Sequence, residues 1–176
     1  MNLFLFFVLN IVFLAAAVVF LLFLIHTLII AAHRGSPYAP TKASRMAAIF
    51  AFAQARPGDL LVDLGSGNGG VLIEAAKRGI RGRGVEINPF WVWYSRLRIR
   101  RHGLSHLATV VRGDMFVHPI PDADIIFLFL VPGAMGRLSE RLRREAKPGT
   151  RIIANRFPLL GWTPHKEQDM IMLYHV

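Results

Sequence analysis

One glycine-rich stretch combines residue types and spacings that are suited to ligand binding. It reads VDLGSGNGG over residues 62–70, after an apolar run and before a helical pattern. Glycines allow a tight turn and let the backbone approach a ligand without a Cβ in the way. A carboxylate at the strand end, as at Asp63, suits a ligand ammonium better than a pyrophosphate. The stretch therefore predicts a cofactor-binding loop formed by Asp63, Gly65, Ser66, Gly67, Asn68 and Gly69.

Two further acids stand at the ends of the next two predicted strands. Glu86 lies about twenty residues beyond the loop, where an acid can bind both ribose hydroxyls of a nucleoside cofactor. Asp114 ends the third strand, where its carboxylate suits an adenine amino group. Ligands of open parallel sheets bind at the carboxyl ends of the strands, so the three acids are expected at one edge. The neighbouring residues Asn88 and Met115 join the predicted cofactor site.

The glycines alone leave the cofactor class open. Gly65, Gly67 and Gly70 also satisfy the GxGxxG pattern of nicotinamide and flavin sites, and Glu86 would serve either class. Asp63 and Asp114 favour S-adenosylmethionine (SAM), which carries both an amino-acid ammonium and an adenine. We therefore predict SAM as the cofactor.

The elements that must position these residues alternate between strand and helix. Continuous apolar strands indicate a parallel sheet covered on both faces, and hence an α/β fold. The predicted strands are 60–65, 82–87, 107–114, 124–131, 151–157 and 170–176. The predicted helices are 41–54, which Thr41 would cap, and 73–79, 89–103 and 133–149.

The N-terminal segment has a different character. Residues 3–32 are apolar except for Asn10, His26 and Thr27, and as a helix they would be roughly 45 Å long. A hydrocarbon core is about 30 Å thick, so this helix is long enough to span it. The alternative is a signal peptide, which has a basic start and an apolar region of about 7–15 residues. This segment has no basic residue at its start, and its apolar region is longer. We predict a transmembrane helix over 1–33, a linker over 34–41 and one domain over 42–176.

Charge and composition limit the partners. The net charge of +10 lies entirely outside residues 2–33, and the chain has no cysteine, which excludes disulfides, cysteine-based zinc sites and thiol nucleophiles. The seven histidines show no metal-ligand spacing, so no metal is predicted. The arginine-rich runs 96–101 and 141–144 are expected on solvated helix faces or against anionic headgroups, rather than on nucleic acid. Trp91, Trp93 and Tyr94 are expected in the core or at an interface.

Five sequence blocks occur in the order seen in one family: PYAPT, VDLGSGNGG, GVEINPFWVWYSRLR, FLFLVPGAMGRLSERL and ANRFPLLGWTP. The chain resembles, from about Pro37 to Pro164, the small class I protein-lysine methyltransferases that modify adenine nucleotide translocase and the ATP synthase c subunit, with their prokaryotic relatives. The resemblance implies a Rossmann-like class I methyltransferase fold with a mostly parallel sheet after one transmembrane helix.

The resemblance also implies roles for single residues. Asp63, Gly65, Gly67, Glu86 and Asp114 would bind SAM, with Tyr38 and Thr41 closing over the methyl-transfer end. The family commonly reads GSGDGR in the loop, whereas Asn68 and Gly70 stand here in place of the acid and the arginine. This departure puts the polar contacts of the loop in question, but not the backbone cradle.

Methyl transfer to a lysine requires alignment, dryness and a neutral amine. We predict that Tyr38, the Val131-Pro132 turn and Asn155 line the acceptor channel, with Tyr38 and Asn155 as the catalytic candidates. The Asp/Asn-Pro-Pro-aromatic signature of many nucleic-acid amino-methyltransferases does not follow the fourth strand, which argues against base methylation.

The leading interpretation is a protein-lysine methyltransferase acting on a membrane or membrane-proximal protein. A lipid or quinone methyltransferase and a non-catalytic SAM-fold scaffold remain as alternatives. Arg34, Lys42 and Arg45 follow the apolar segment, and positive residues stay on the cytoplasmic side. A plasma (inner) membrane protein with a cytoplasmic domain is therefore expected, with the mitochondrial inner membrane, matrix side, as the alternative.

Overall fold

The computed structural model describes residues 2–34 and 43–176, and these two stretches belong to two separate compact units. Residues 35–41 of the predicted linker, including Tyr38 and Thr41, lie outside the described residues.

The first unit is one long apolar helix, α1, over Leu3–Arg34. Its segment Leu3–Ile25 has a mean hydropathy of 3.1 and is exposed along its length. The side chain of Asn10 donates a 2.8 Å hydrogen bond to the Phe6 carbonyl, so this polar group is paired within the helix itself. Its length and composition suit a membrane anchor, although a signal sequence near the N-terminus can meet the same criteria of length and hydropathy.

The second unit is a seven-stranded sheet with helices on both faces. The helices are α2 (Ala43–Phe52), α3 (Gly70–Ala76), α4 (Pro89–Arg101) and α5 (Pro132–Glu145). The strands are β1 (Leu60–Leu64), β2 (Arg81–Glu86), β3 (Ala108–Arg112), β4 (Ile125–Leu128), β5 (Arg151–Asn155), β6 (Lys166–Gln168) and β7 (Ile171–His175). Their order is β3-β2-β1-β4-β5-β7-β6, parallel from β3 to β5, with β7 antiparallel to both neighbours. The predicted α/β fold with a mostly parallel sheet is confirmed.

Alternating side chains of the central strands supply two separate cores. Leu61, Ile125 and Phe127 pack on one face, beneath α2, α3 and α4. Val62 and Ile126 pack on the other face, beneath α5. Because both faces are covered, the central strands β1 and β4 are apolar except for Asp63, as expected of a buried parallel sheet. The chain leaves β1 toward β2 and β3 and later returns to β4, so β1 and β4 flank the point where the order reverses, where ligands of such sheets bind.

The sequence did not predict β6, and it placed the start of the last strand one residue early. Lys166–Gln168 are all exposed and polar, so no apolar alternation marks them as a strand. Asp169 and Met170 have φ angles of 51° and 59° and form a two-residue turn between β6 and β7. Positive φ at both central residues matches the twist of a tight hairpin.

Gly84 in β2 is required by close packing beneath the binding loop. A Cβ at this position would lie 2.5 Å from Ser66 Oγ and 2.7 Å from Leu72 Cδ1. We expect Gly84→Ala to destabilise the domain by about 1–3 kcal/mol because both neighbours must shift. Urea unfolding of the full chain in detergent, followed by tryptophan fluorescence, measures this.

Gly133→Ala is the matched control, because a Cβ there meets no heavy atom within 4 Å. The urea concentration at the midpoint of its unfolding should equal or exceed that of the unmodified chain. A Gly84→Ala midpoint as high as that of Gly133→Ala would contradict the packing argument.

Candidate active site

Asp63 is a buried acid in the middle of the sheet, near the carboxyl end of β1. Its cross-strand neighbours are Gly84 on β2 and Phe127 on β4, and its exposed fraction is 3%. Burial, reinforced by the charge of Glu86, raises the pKa of Asp63 to about 8. Within the described part of the chain, no side chain or amide donates a hydrogen bond to its carboxylate. A buried carboxylate without an internal donor is suited to an external cationic donor.

The loop after Asp63 turns away from the sheet through glycines. Gly65 has a φ of 86°, and a Cβ there would lie 2.9 Å from Leu130 Cδ2, so both conformation and space favour glycine. The amides of Gly65 and Ser66 donate to the Val85 carbonyl at 2.8 and 3.1 Å, which ties the loop to β2. Gly65 itself is exposed, so its backbone is open to a ligand on the side away from Leu130.

Glu86 joins the loop to the start of α4. One carboxylate oxygen accepts the Gly67 amide at 2.9 Å, and the other accepts the Asn88 amide at 2.8 Å. Burial raises the pKa of Glu86, against the lowering effect of these amides. A carboxylate has about four acceptor sites, so both oxygens can still accept hydroxyl donors. Asn88 is also the cap of α4, since its side chain accepts the Phe90 amide at 2.9 Å.

Three other residues predicted for the cofactor loop contact the loop or the elements packed against it. Gly69 has a φ of 71° and approaches α4 closely, because a Cβ there would lie 3.0 Å from Ser95 Cβ. Asn68 Oδ1 accepts the Gly70 amide at 3.0 Å at the start of α3. The Ser66 hydroxyl lies over Gly84, buried, and makes no hydrogen bond within the described residues.

The loop after β3 brings Met115 to the same place. A Cβ on Gly65 would lie 3.8 Å from Met115 Sδ, so the loops after β1, β3 and β4 meet at Gly65. Asp114 is half-buried, and one of its carboxylate oxygens accepts the Phe116 amide at 2.9 Å. That bond shapes the turn at 114–118, and the second oxygen is available for an adenine amino group.

The residues predicted for the acceptor channel lie at the ends of β4 and β5. Val131 is the cap of α5 and Pro132 its first residue, with Pro132 exposed. Asn155 ends β5 and is 2% exposed. Two strand spacings, about 10 Å, separate its strand from β1. The structure therefore places Asn155 and the Val131-Pro132 turn on the same sheet edge as Asp63.

Three arginines that the sequence analysis did not assign to the site hold its loops. Arg45 Nε donates to Asn155 Oδ1 at 2.7 Å, and Arg98 donates to the Asn68 carbonyl at 2.8 Å. Arg141 donates to the carbonyls of Met115 and His118 and pairs with Glu145 at 2.7 Å.

The prediction that residues 141–144 lie on a solvated face is wrong for Arg141, because its side chain is only 7% exposed. The available signal was its spacing from Leu138 and Leu142, which places it on the inward face of α5.

These residues fit the predicted cofactor. Asp63 would take the ammonium, the exposed backbone at Gly65 admits close approach, and Glu86 would take the ribose hydroxyls. Across residues 2–34 and 43–176, no three histidine, aspartate or glutamate side chains are grouped so that they could hold a metal ion.

Comparison with known proteins identifies similar chains. Residues 63–166 match the family model described as the ANTKMT methyltransferase domain. The ATP synthase c-subunit lysine N-methyltransferase of Homo sapiens is 37% identical over 128 residues, 73% of this chain and 54% of that protein. A protein-lysine N-methyltransferase of Saccharolobus islandicus is 32% identical over 130 residues, 73% of this chain and 81% of that protein. The chain spans about half the length of several such relatives.

A solved structure shows the same fold. An RNA methyltransferase from Salinibacter ruber, in complex with S-adenosyl-L-homocysteine, superposes with a TM-score of 0.72 at 29% identity. The match covers 77% of this chain and 91% of that one. It confirms the predicted class I methyltransferase fold.

The raised pKa of Asp63 predicts that ligand binding depends on pH. Below about pH 8 the acid is largely protonated, and only the carboxylate can pair with an ammonium. Affinity for S-adenosyl-L-homocysteine should therefore rise from about pH 6 to about pH 8, by up to about tenfold per unit, with proton release at neutral pH. Calorimetry in buffers of different ionisation enthalpy measures both quantities.

Asp63→Asn is the control. It should bind more weakly and lose most of the pH dependence, with Glu86 as the remaining titrating acid. Equal affinity of the unmodified chain across this range, with no proton released, would contradict the assignment of Asp63 to the ammonium.

Proposed function

This chain belongs to the ANTKMT methyltransferase domain family, and we propose that it is a SAM-dependent protein-lysine N-methyltransferase acting on a membrane or membrane-proximal protein. The membership confirms the resemblance noted in the sequence blocks. The observation that carries the activity is the buried carboxylate of Asp63, which accepts no hydrogen bond from the described residues, beside the exposed backbone of Gly65 and the carboxylate of Glu86. A non-catalytic scaffold has no need of such an arrangement.

SAM, when bound, supplies a methyl group activated by a sulfonium. The chain's own part is to orient the donor and to exclude water from the acceptor amine. Asp63 and Glu86 would hold the amino-acid and ribose ends, and Asp114 and Met115 the adenine. An acceptor lysine desolvated at the carboxyl edge of the sheet has its pKa lowered, so its neutral form is favoured without a dedicated base.

The proposed setting is a single-pass membrane protein. It is supported by the exposed apolar helix Leu3–Ile25 and by the basic residues that follow it in sequence, Arg34, Lys42 and Arg45. In a plasma (inner) membrane the domain would face the cytoplasm, where SAM is made. A mitochondrial inner membrane with the domain in the matrix is the alternative setting. A cleaved signal would leave a free domain and would overturn this part of the proposal.

A transfer assay with native membranes tests the acceptor class. The purified chain is incubated with methyl-labelled SAM and membranes, and protein, lipid and RNA are then separated. We expect label in protein, recovered as methyl-lysine after hydrolysis, and its loss in Asp63→Asn. Label in lipid alone would favour the lipid or quinone methyltransferase. Label in RNA alone would favour an acceptor like that of the Salinibacter protein, and no label without ligand binding would favour a scaffold.

The acceptor channel is tested separately. Asn155→Ala should lower kcat by about tenfold to a hundredfold, because misplaced reactants lose rate steeply. Its affinity for S-adenosyl-L-homocysteine should stay unchanged, since Asn155 lies two strands from Asp63. Steady-state methyl transfer and calorimetry separate the two effects.

Tyr38→Phe tests the second catalytic candidate, which lies outside the described residues. A loss of methyl transfer is expected, because the hydroxyl is predicted to close over the methyl-transfer end. Undiminished transfer would remove Tyr38 from that role, and an Asn155→Ala variant with normal kcat would do the same for Asn155.

A further inference from the structure

Helix α4 carries an outward face that combines aromatic and basic side chains. Phe90 is 40% exposed and Trp93 is 59% exposed, with their ring centroids 6.0 Å apart. A groove of about 350 Å³ runs along the helix, lined by Pro89, Val92, Trp93, Arg96, Leu97, Arg100 and Arg112. We name the residues Phe90, Trp93, Arg96, Leu97, Arg100 and Arg112 the α4 face.

The charge of this region has one sign. From Ile87 to Gly113 the sequence contains five arginines and no aspartate or glutamate. Arg98 is turned inward to the Asn68 carbonyl, and Arg96 Nε donates to the Val110 carbonyl. Arg100 and Arg112 are exposed, and no side-chain hydrogen bond to either occurs within residues 43–176. The α4 face therefore complements an anionic partner.

The aromatic residues narrow the partner's chemistry. Solvated arginines alone would be an ordinary helix face, but Trp93 exposes 59% of its surface beside them. Tryptophan is enriched where a bilayer meets water, and arginine is attracted to anionic headgroups at the same depth. A bilayer surface accommodates both groups at once.

We propose that the α4 face docks the domain onto an anionic membrane surface. The proposal rests on the membrane setting proposed above, in which eight residues of sequence separate the apolar helix from the described domain. The cap of α4, Asn88, donates its amide to Glu86, so the aromatic end of the face adjoins the candidate active site. Docking would hold the carboxyl edge of the sheet beside headgroups, where a membrane-proximal lysine is presented.

Fluorescence quenching in bilayers tests the docking on the full chain. The chain is reconstituted into brominated phosphatidylcholine with or without phosphatidylglycerol. Bromine quenches tryptophan at short range, and the three tryptophans, Trp91, Trp93 and Trp162, all lie in the domain rather than in the apolar helix. We expect quenching that requires phosphatidylglycerol, that is mostly lost in Trp93→Phe and that is retained in Trp162→Phe.

Charge variants provide the matched comparison. Arg100→Gln with Arg112→Gln should lose the phosphatidylglycerol-dependent quenching, because both guanidiniums line the groove. Arg144→Gln with Lys147→Gln removes the same charge from exposed positions at and beyond the end of α5 and should retain it. Quenching that is independent of phosphatidylglycerol, or unchanged in Trp93→Phe, would overturn the proposal. So would protection of residues 89–101 from hydrogen exchange by RNA but not by anionic bilayers.

Separate readouts distinguish this proposal from the proposed function. Flotation with the bilayers reports the anchor, and methyl transfer reports the activity. A chain that floats and transfers methyl groups without quenching overturns the docking alone. A chain that is quenched as expected but transfers no methyl group supports the docking and removes the activity. A chain that does not float overturns both the anchor and the docking.

Discussion

Keeping a carboxylate inside a sheet costs solvation free energy, and the domain is arranged around one such group. Asp63 lies between Gly84 and Phe127, neither of which offers its side chain a donor. The pKa of Asp63 is raised because burial disfavours its charged form, and the charge of the nearby Glu86 raises this pKa further. The cost falls when an ammonium enters, so the same burial that weakens the fold strengthens ligand binding. Such a stability–function conflict is expected at a binding site and not in a core built for packing alone.

The loops around Asp63 need hydrogen-bond donors. Where a strand ends at a ligand, the main-chain carbonyls that follow have no neighbouring strand to bond with. Three helices each supply an arginine for this purpose. Arg98 donates to a carbonyl of the glycine loop and Arg141 to a carbonyl of the turn after β3. Arg45 donates to the Asp169 carbonyl in the turn between β6 and β7 and to the Asn155 side chain at the end of β5. Part of the basic composition that suggests an anionic partner is therefore used internally. The exposed guanidiniums of the α4 face, Arg100 and Arg112, are among the basic groups that stay available for a partner.

The sequence was most informative where burial on both faces made the pattern continuous. Residues 124–131 are apolar after their first position, so a central strand was predicted there, and β4 forms within them. The positions of Asp63 and Glu86 followed from strand ends and glycine spacing, which are local properties. The strand β6 was missed because its three residues are exposed and are specified by the turn at Asp169-Met170. The hydrogen bonds from these arginines to the loops could not be predicted, because they join residues far apart in sequence. Arg45 and Asn155 are separated by 110 positions, and only the sheet order brings them together.

The departure of the loop from the family pattern has a local explanation in charge and space. Asn68 retains the acceptor that an aspartate would provide, since its Oδ1 takes the Gly70 amide, while it withdraws one negative charge. Asp63 and Glu86 already resist ionisation, and a third carboxylate nearby would raise their pKa values further. A Cβ on Gly70 would lie 3.1 Å from Asn68 Oδ1 and 3.6 Å from Met46 Cε, so an arginine there would displace the packing of α2. Losing the acid and the base together leaves the net charge of the loop unchanged.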